Sequence, residues 1–403
     1  MRIFITLWLV LILASKILFP FFGRFVLLID DLFVLFCFYY FLIELFDFNN
    51  KKTLWLSMIA FWLACTFFVA IFSNAPGYVP TLLVYLKPII MIAGVLVFLR
   101  KKYINLNIIE QVVLLSALYG ILQFFAYVLV KVVLPGGGEK LLNVGGQWLL
   151  RSGGFCGHPN TFGMLLFPFV SIYLIEKKYV KFLIISLSLL LSLSRWPIFL
   201  AALLVLLIFP MRKKTTLSLL FILAVLFIGQ PMYREYNRVY RDYNQENTLK
   251  LYGMTVAKEI FLDFPISGVG IGSYGSKYSA GSDIYTKYNF SKSMYSMFKG
   301  ATSGIESGIA IIFVENGLFL GILYLAILFQ CFNISRQFIN ARLIRIFYFL
   351  FVFCLIFYNQ YIPEFIITLL SAMCILSAAQ EGNLKKNVHS YQSLQKGGLR
   401  VST

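Results

Sequence analysis

ESGIAIIFVENGLFLG, residues 306–321, opens the run of sequence that decides the fold. From Gly308 the chain stays apolar to residue 331, and roughly twenty such residues suffice for a helix to cross a bilayer core. One acid, Glu315, lies inside the run, about two and a half helical turns from Glu306 at its mouth. Comparable apolar runs cover 3–22, 25–46, 54–73, 79–99, 107–129, 160–176, 180–194, 197–210, 215–229, 345–358 and 362–379. Composition agrees: 60% of the 403 residues are hydrophobic and 13% charged, where soluble domains carry roughly a quarter charged residues. The expected fold is an all-α polytopic membrane protein of about twelve transmembrane helices with one large extracytoplasmic loop. Residues 1–379 read as the bundle and 380–403 as a disordered cytoplasmic tail.

The net charge of +18 does not point to nucleic acid. With the N-terminus in the cytoplasm, the cations fall in alternate breaks between spans: Lys51-Lys52, Arg100-Lys101-Lys102, Lys177-Lys178 with Lys181, Arg212-Lys213-Lys214, and Arg336, Arg342 and Arg345. Short cytoplasmic loops collect Lys and Arg in this way. The first helix reads as an uncleaved span, and both termini as cytoplasmic. Six cysteines are scattered without a CxxC pair, and His158 and His389 are the only histidines. No disulfide framework, metal site or cofactor is expected.

Two external segments are long. Residues 131–159 contain Gly136-Gly137-Gly138 and Gly145-Gly146. Residues 230–306 are tyrosine-rich and hold an amphipathic helix near 248–263, with Tyr252, Val256 and Ile260 at four-residue spacing and Pro265 as its stop. Loops of this length usually carry function or are disordered.

Arg151-Ser152-Gly153-Gly154-Phe155-Cys156-Gly157-His158-Pro159-Asn160 ends the first of them. Pro159 suits a first helical turn and Asn160 a cap. A helix start offers free N–H groups to an anion, and Arg151 beside it makes a phosphate site; the alternative is an interfacial arginine next to an ordinary cap. Ser194-Arg195, before Trp196-Pro197, repeats the pattern on the same side of the membrane, with the same alternative. Glu315 is a functional candidate because ionisable groups within spans are costly, the alternative being a structural charge pair. Gly270, Gly272 and Gly275 match GxGxxG without the strand–turn–helix unit of a dinucleotide site, so a loop folding back over the bundle is the better reading. Lys87-Pro88 faces either a cavity or the interface, and Asp30 and Asp31 read as interfacial.

Together these residues resemble the O-antigen polymerase and O-antigen ligase superfamily of bacterial envelope glycosyltransferases, a GT-C-like architecture. Arg151, Gly154 and Pro159-Asn160 match its first loop. Ser194-Arg195 match the end of the following span. Pro265, Gly268, Gly270 and Gly272 match its Pro-x-x-Gly-x-Gly segment, and Glu315-Asn316-Gly317 its Glu-x-Gly helix. Two positions depart. Glu306 stands where the family often has a histidine, and the cation expected in the large loop is either Arg241 or Lys250.

The resemblance implies an undecaprenyl-diphosphate-linked oligosaccharide as donor at the outer face of the bacterial plasma membrane. It also implies direct displacement with inversion, without nucleotide or metal. Arg151 and Arg195, with Arg241 or Lys250, would clamp the diphosphate, and Glu306 or Glu315 would serve as base or acceptor-orienting group. Gly154, Pro159, Asn160, Gly268, Gly270, Gly272 and Gly317 would support the loops. A polymerase for O-antigen, capsule or exopolysaccharide is the first reading. A ligase to a lipid or protein acceptor is the second, and a lipid-linked oligosaccharide flippase the alternative of another class. The expected partners are membrane lipids and the pathway's flippase and chain-length regulator.

Overall fold

A computed structural model describes residues 1–14, 18, 27–45, 50–73, 75, 77–135, 141–144, 147–208, 249–275, 278–279, 281–288, 307–337, 339–357 and 365–378. The expected span 215–229 and the tail 380–403 lie outside the described residues. Helices dominate: α1 (Arg2–Leu13), α2 (Leu27–Leu45), α3 (Asn50–Ser73), α4 (Tyr78–Arg100), α5 (Leu106–Val130), α6 (Pro159–Ile175), α7 (Tyr179–Leu191) and α8 (Arg195–Ile208). After them come α9 (Leu249–Asp263), α10 (Ile284–Lys287), α11 (Gly308–Asn333), α12 (Ala341–Phe357) and α13 (Phe365–Ala378).

Four stretches are long and apolar enough to cross a membrane: Leu54–Ser73, Tyr78–Arg100, Leu106–Val130 and Gly308–Asn333. Others are shorter. Helices α6, α7 and α8, at 17, 13 and 14 residues, extend only about 20–25 Å at 1.5 Å per residue. Pro159 and the tight turns at 176–178 and 192–194 cut their ends. The chain is a helical membrane protein, and its outer faces show why. On α7, Val180, Leu183, Leu187 and Leu190 form an exposed apolar stripe, while Ile185, Ser188 and Leu189 are buried. A soluble helix has the opposite polarity.

The all-helical expectation needs one correction. Strands β1 (Leu141–Val144) and β2 (Gln147–Leu150) pair antiparallel, Val144 opposite Gln147. Two apolar runs separated by Gly145-Gly146 carry a hairpin signal, here inside a segment read only as a loop.

Side-chain contacts fix the helix directions. Asp31, Cys37 and Tyr40 of α2 meet Lys87, Gly94 and Phe98 of α4, so these two run parallel. Trp55 and Trp62 of α3 donate to Ile327 O and to Asn316 of α11, so that pair is antiparallel. Arg342 in the first turn of α12 donates to Leu207 O in the last turn of α8. The short 334–340 connection makes α12 antiparallel to α11, so α8 and α11 begin at one end of the bundle. We call that end, where Tyr78, Pro159, Arg195 and Gly308 start their helices, the upper rim. The lower rim carries Arg100, Lys101, Lys102, Lys177, Lys178, Arg336, Arg342 and Arg345.

Lys87, ambiguous in sequence, forms an ion pair with Asp31. Two apolar clusters hold the molecule. The larger unites the bundle around Trp62, Tyr85, Phe162, Phe167 and Tyr324. The smaller joins α9, α10 and the outer half of α11 through Val256, Ile260, Val269, Tyr274, Tyr285 and Val314.

Candidate functional site

Two hydrogen-bonded clusters at the upper rim carry most of the residues singled out above. The first surrounds Arg151. Its Nη2 donates to Asn160 Oδ1 at 2.8 Å and to Ser194 Oγ at 3.1 Å, and its Nε to Ser192 O at 3.3 Å. Ser194 Oγ also donates to Asn160 Oδ1 at 2.8 Å. Arg151 is thereby oriented by the start of α6 and by the α7–α8 turn, and Arg195 follows Ser194 directly as the first residue of α8. In that turn Leu193 has φ 49°, a left-handed conformation uncommon for a residue with a Cβ.

The cap of α6 differs from expectation. His158, not Asn160, caps the helix: its Nδ1 accepts from Asn160 N at 3.2 Å, with Pro159 in the first turn. That leaves the Asn160 side chain to Arg151. His158 is extended, at φ −128° and ψ 126°, as the residue before a proline must be.

Sequence reasoning missed the residue that holds this loop. Gln123 of α5 is fully buried, and its Oε1 accepts from Gly153 N at 3.1 Å and Gly154 N at 2.9 Å. Its Nε2 donates to Pro135 O at 2.9 Å and Gly154 O at 3.4 Å. One amide thus fills its two donor and two acceptor positions with backbone. Ser116, seven residues earlier on the same face, accepts from Phe155 N at 3.0 Å. Gly154 has φ 51°, and a Cβ there would lie 2.2 Å from the Phe162 ring. The one signal in the sequence is a serine and a glutamine at i, i+7 within the apolar part of a helix.

The second cluster surrounds Glu315, seven residues and about 10 Å below the start of α11. Helix α11 is broken here. Gly317 sits at φ 67°, ψ −174°, a region open only to glycine. The segment after α9 plugs the break: Val269 N donates to Val314 O and Gly270 N to Glu315 O, both at 2.9 Å, while Leu318 N donates to Pro265 O at 2.7 Å. Non-helical backbone at membrane depth survives only when its polar groups find such partners. The approach is close enough to demand glycine on both sides. A Cβ at Gly268 would lie 2.4 Å from Gly317 N, and one at Gly317 2.2 Å from Ile266 O.

The Glu315 side chain, 1% exposed, is fully engaged. Its Oε1 accepts from Gly272 N at 2.8 Å and Tyr274 N at 3.1 Å, and its Oε2 from Tyr85 OH at 2.8 Å. Asn316 beside it donates to Tyr85 OH and Ile312 O and accepts from Trp62 Nε1. The GxGxxG stretch does fold back on the bundle, as a buried plug.

Lys250 falls in the first turn of α9, which packs against α11. Arg241 and Glu306 lie outside the described residues; Glu306 precedes Ser307, which is buried at the upper rim.

Residues 180–325 match a family model described as O-antigen ligase. No curated protein matches the chain. The match supports the O-antigen polymerase and ligase superfamily and a function of that kind. It takes in Ser194-Arg195, the 265–272 segment and Glu315-Asn316-Gly317. Arg151 and Asn160 precede it, and their hydrogen bonds to Ser194 tie them to its edge.

Proposed function

With the O-antigen ligase match over residues 180–325 as premise, we propose that this membrane protein is a glycosyltransferase with a lipid-diphosphate-linked donor, acting as a polysaccharide polymerase. It moves a growing glycan from undecaprenyl diphosphate onto the sugar hydroxyl of a lipid-linked repeat unit. The upper rim then faces the outside of the bacterial plasma membrane, and the cation-rich lower rim with both termini faces the cytoplasm.

The observation that carries this reading is the held guanidinium of Arg151, one residue-to-residue contact away from Arg195 and between two helix starts. Diphosphate oxygens fit such a place, since guanidinium forks and the positive ends of helices both favour them. As the acceptor oxygen bonds to the anomeric carbon, the bond to diphosphate breaks and charge builds on the leaving group. Arg151 and Arg195 stabilise that charge, with Lys250 or Arg241 as a further cation. The acceptor proton goes to Glu306, because every oxygen of Glu315 is already engaged. Displacement from the opposite face inverts the anomeric centre. A flippase that delivers the donor and a chain-length regulator are the partners this reading calls for.

The test is reconstitution with a lipid-diphosphate-linked repeat unit and no nucleotide sugar. A ladder of longer glycans supports the polymerase. Transfer only to a different acceptor makes the protein a ligase, and movement across vesicles without a new glycosidic bond makes it a flippase. An Arg195→Ala variant with full elongation removes that residue from the clamp.

A further inference from the structure

The chemistry at Glu315 is unlike that of a proton-transfer group. Its carboxylate faces three donors, two of them main-chain N–H groups of one loop, and no cation contacts it among the described residues. An acceptor-only side chain used in this way is a fastener. What it fastens matters. From Gly272 and Tyr274 the loop continues to α10, where Gly275 N donates to Tyr285 OH at 2.8 Å and Ser279 Oγ lies 2.6 Å from the same hydroxyl. Tyr274 and Tyr285 stack, 6.1 Å between ring centroids. Tyr288 then bonds back to Asp263 at the end of α9. Helix α9, the loop and α10 therefore form one packed unit with the outer half of α11. Helix α9 brings Lys250.

We propose that Glu315 is a positioning residue: its carboxylate clasps the amides of Gly272 and Tyr274 to lock the α9–α10 unit, with Lys250 in the first turn of α9, onto the break in α11. The proposal rests on the transferase reading for its functional consequence and on geometry alone for the clasp. The side-chain oxygen of glutamine can keep both amide bonds. Its NH₂ can donate to the Tyr85 hydroxyl oxygen, which then accepts from it as well as from Asn316 Nδ2, at the loss of the bond Tyr85 donates. Alanine keeps none of these.

The experiment has two arms on the full chain in liposomes. In the first, elongation of the lipid-diphosphate-linked repeat unit is followed against pH for the wild type, Glu315→Gln and Glu315→Ala. Glu315→Ala falls about 30-fold or more, while Glu315→Gln stays within about threefold and keeps the wild-type pH profile. In the second, Ser273, 2% exposed between the two clasped amides, is changed to Cys and challenged with a membrane-impermeant maleimide, scored above the parent without that change. The thiol is protected in the wild-type and Glu315→Gln backgrounds and reacts in Glu315→Ala. Glu315→Gln as inactive as Glu315→Ala, with the thiol still protected, makes Glu315 itself the proton acceptor and overturns the proposal. A thiol protected in Glu315→Ala, or reactive in every background, overturns the clasp. A wild type that makes no glycan defeats the transferase reading, and the labelling arm still decides the clasp.

Discussion

Both clusters at the upper rim solve one problem: a loop rich in glycine must be pinned to a membrane helix. They solve it with different side chains and to different ends. Around Gln123 a neutral amide takes up the backbone on both of its faces, and the charged residue of the loop, Arg151, stays half-buried and oriented by other side chains. Around Glu315 the acidic residue is itself the pin and is sealed inside. A charge at membrane depth needs a reason, and the two reasons here are separable: one charge is presented, the other consumed. Sequence position alone suggests the reverse emphasis, because an acid inside a span draws more attention than an arginine at its edge.

The difference makes its sharpest prediction at Arg151. Arg151→Ala should lower elongation by about 10³-fold, as loss of a main transition-state electrostatic group does, while leaving thermal unfolding in detergent within a few degrees of the wild type. Arg151→Lys should not rescue it, because an ammonium cannot span Asn160, Ser194 and an anion as a planar fork can. Elongation measured beside the melting curve checks both. An equal loss of stability and activity would make Arg151 a structural residue and erase the contrast.

Stability should be lost first at the other cluster. Gly317→Ala and Gly268→Ala each drive a Cβ into backbone about 2.2–2.4 Å away, and Gly317 adds a backbone conformation reserved for glycine. Each should cost about 3 kcal/mol or more, seen as a lowered melting temperature. Gly154→Ala meets the Phe162 ring rather than backbone, and rings can shift, so its cost should be smaller.

Much of the fold was legible because apolar runs are long and their punctuation is simple. Expected spans 79–99 and 107–129 became Tyr78–Arg100 and Leu106–Val130, and the amphipathic helix near 248–263 became Leu249–Asp263. The order of the short motifs was legible too, but not its physical cause. Pro265, Gly268, Gly270 and Glu315-Asn316-Gly317 are two halves of one joint, in which main chain meets main chain across a helix break. Backbone donors leave no mark in a sequence, and Tyr85 lies 230 positions from its carboxylate. Gln123 was hidden for the same reason: its four partners are peptide groups of a loop whose path no local pattern reveals. Asn160 is not the cap because His158, less favoured for that task, stands two residues earlier, ahead of Pro159.

Gln123 gives the intermediate effect. Gln123→Leu would leave the N–H groups of Gly153 and Gly154 and the carbonyl of Gly154 short of a partner in a buried site, at about 1–3 kcal/mol for each group that finds no water, while Pro135 O keeps its bond from Tyr119 OH. Elongation should fall about tenfold through displacement of Arg151, with a matching fall in melting temperature. Gln123→Glu should lie between, keeping the acceptor for Gly153 and Gly154 while losing the donor to Pro135. If Gln123→Leu matched Arg151→Ala in activity while melting like the wild type, the glutamine would belong to the reacting site and not to its support.

The smallest effect should come from the lower rim, where charges are as many but neither presented to a substrate nor sealed in. Lys178, at the surface, pairs with Glu176 at 2.9 Å. The hydrogen bond that the Lys178 ammonium donates to Glu176 holds it above its ordinary pKa. A raised value in the fold means the pair's contribution is complete below the unfolded lysine pKa of about 10.4 and disappears only as pH rises through the folded value. Melting temperature should therefore show no step from this pair between about pH 6 and 9, and Lys178→Gln should change stability by less than about 1 kcal/mol, with elongation untouched. A loss of elongation on Lys178→Gln would extend the functional surface across the whole bundle and remove the distinction between a working rim and one that sets topology.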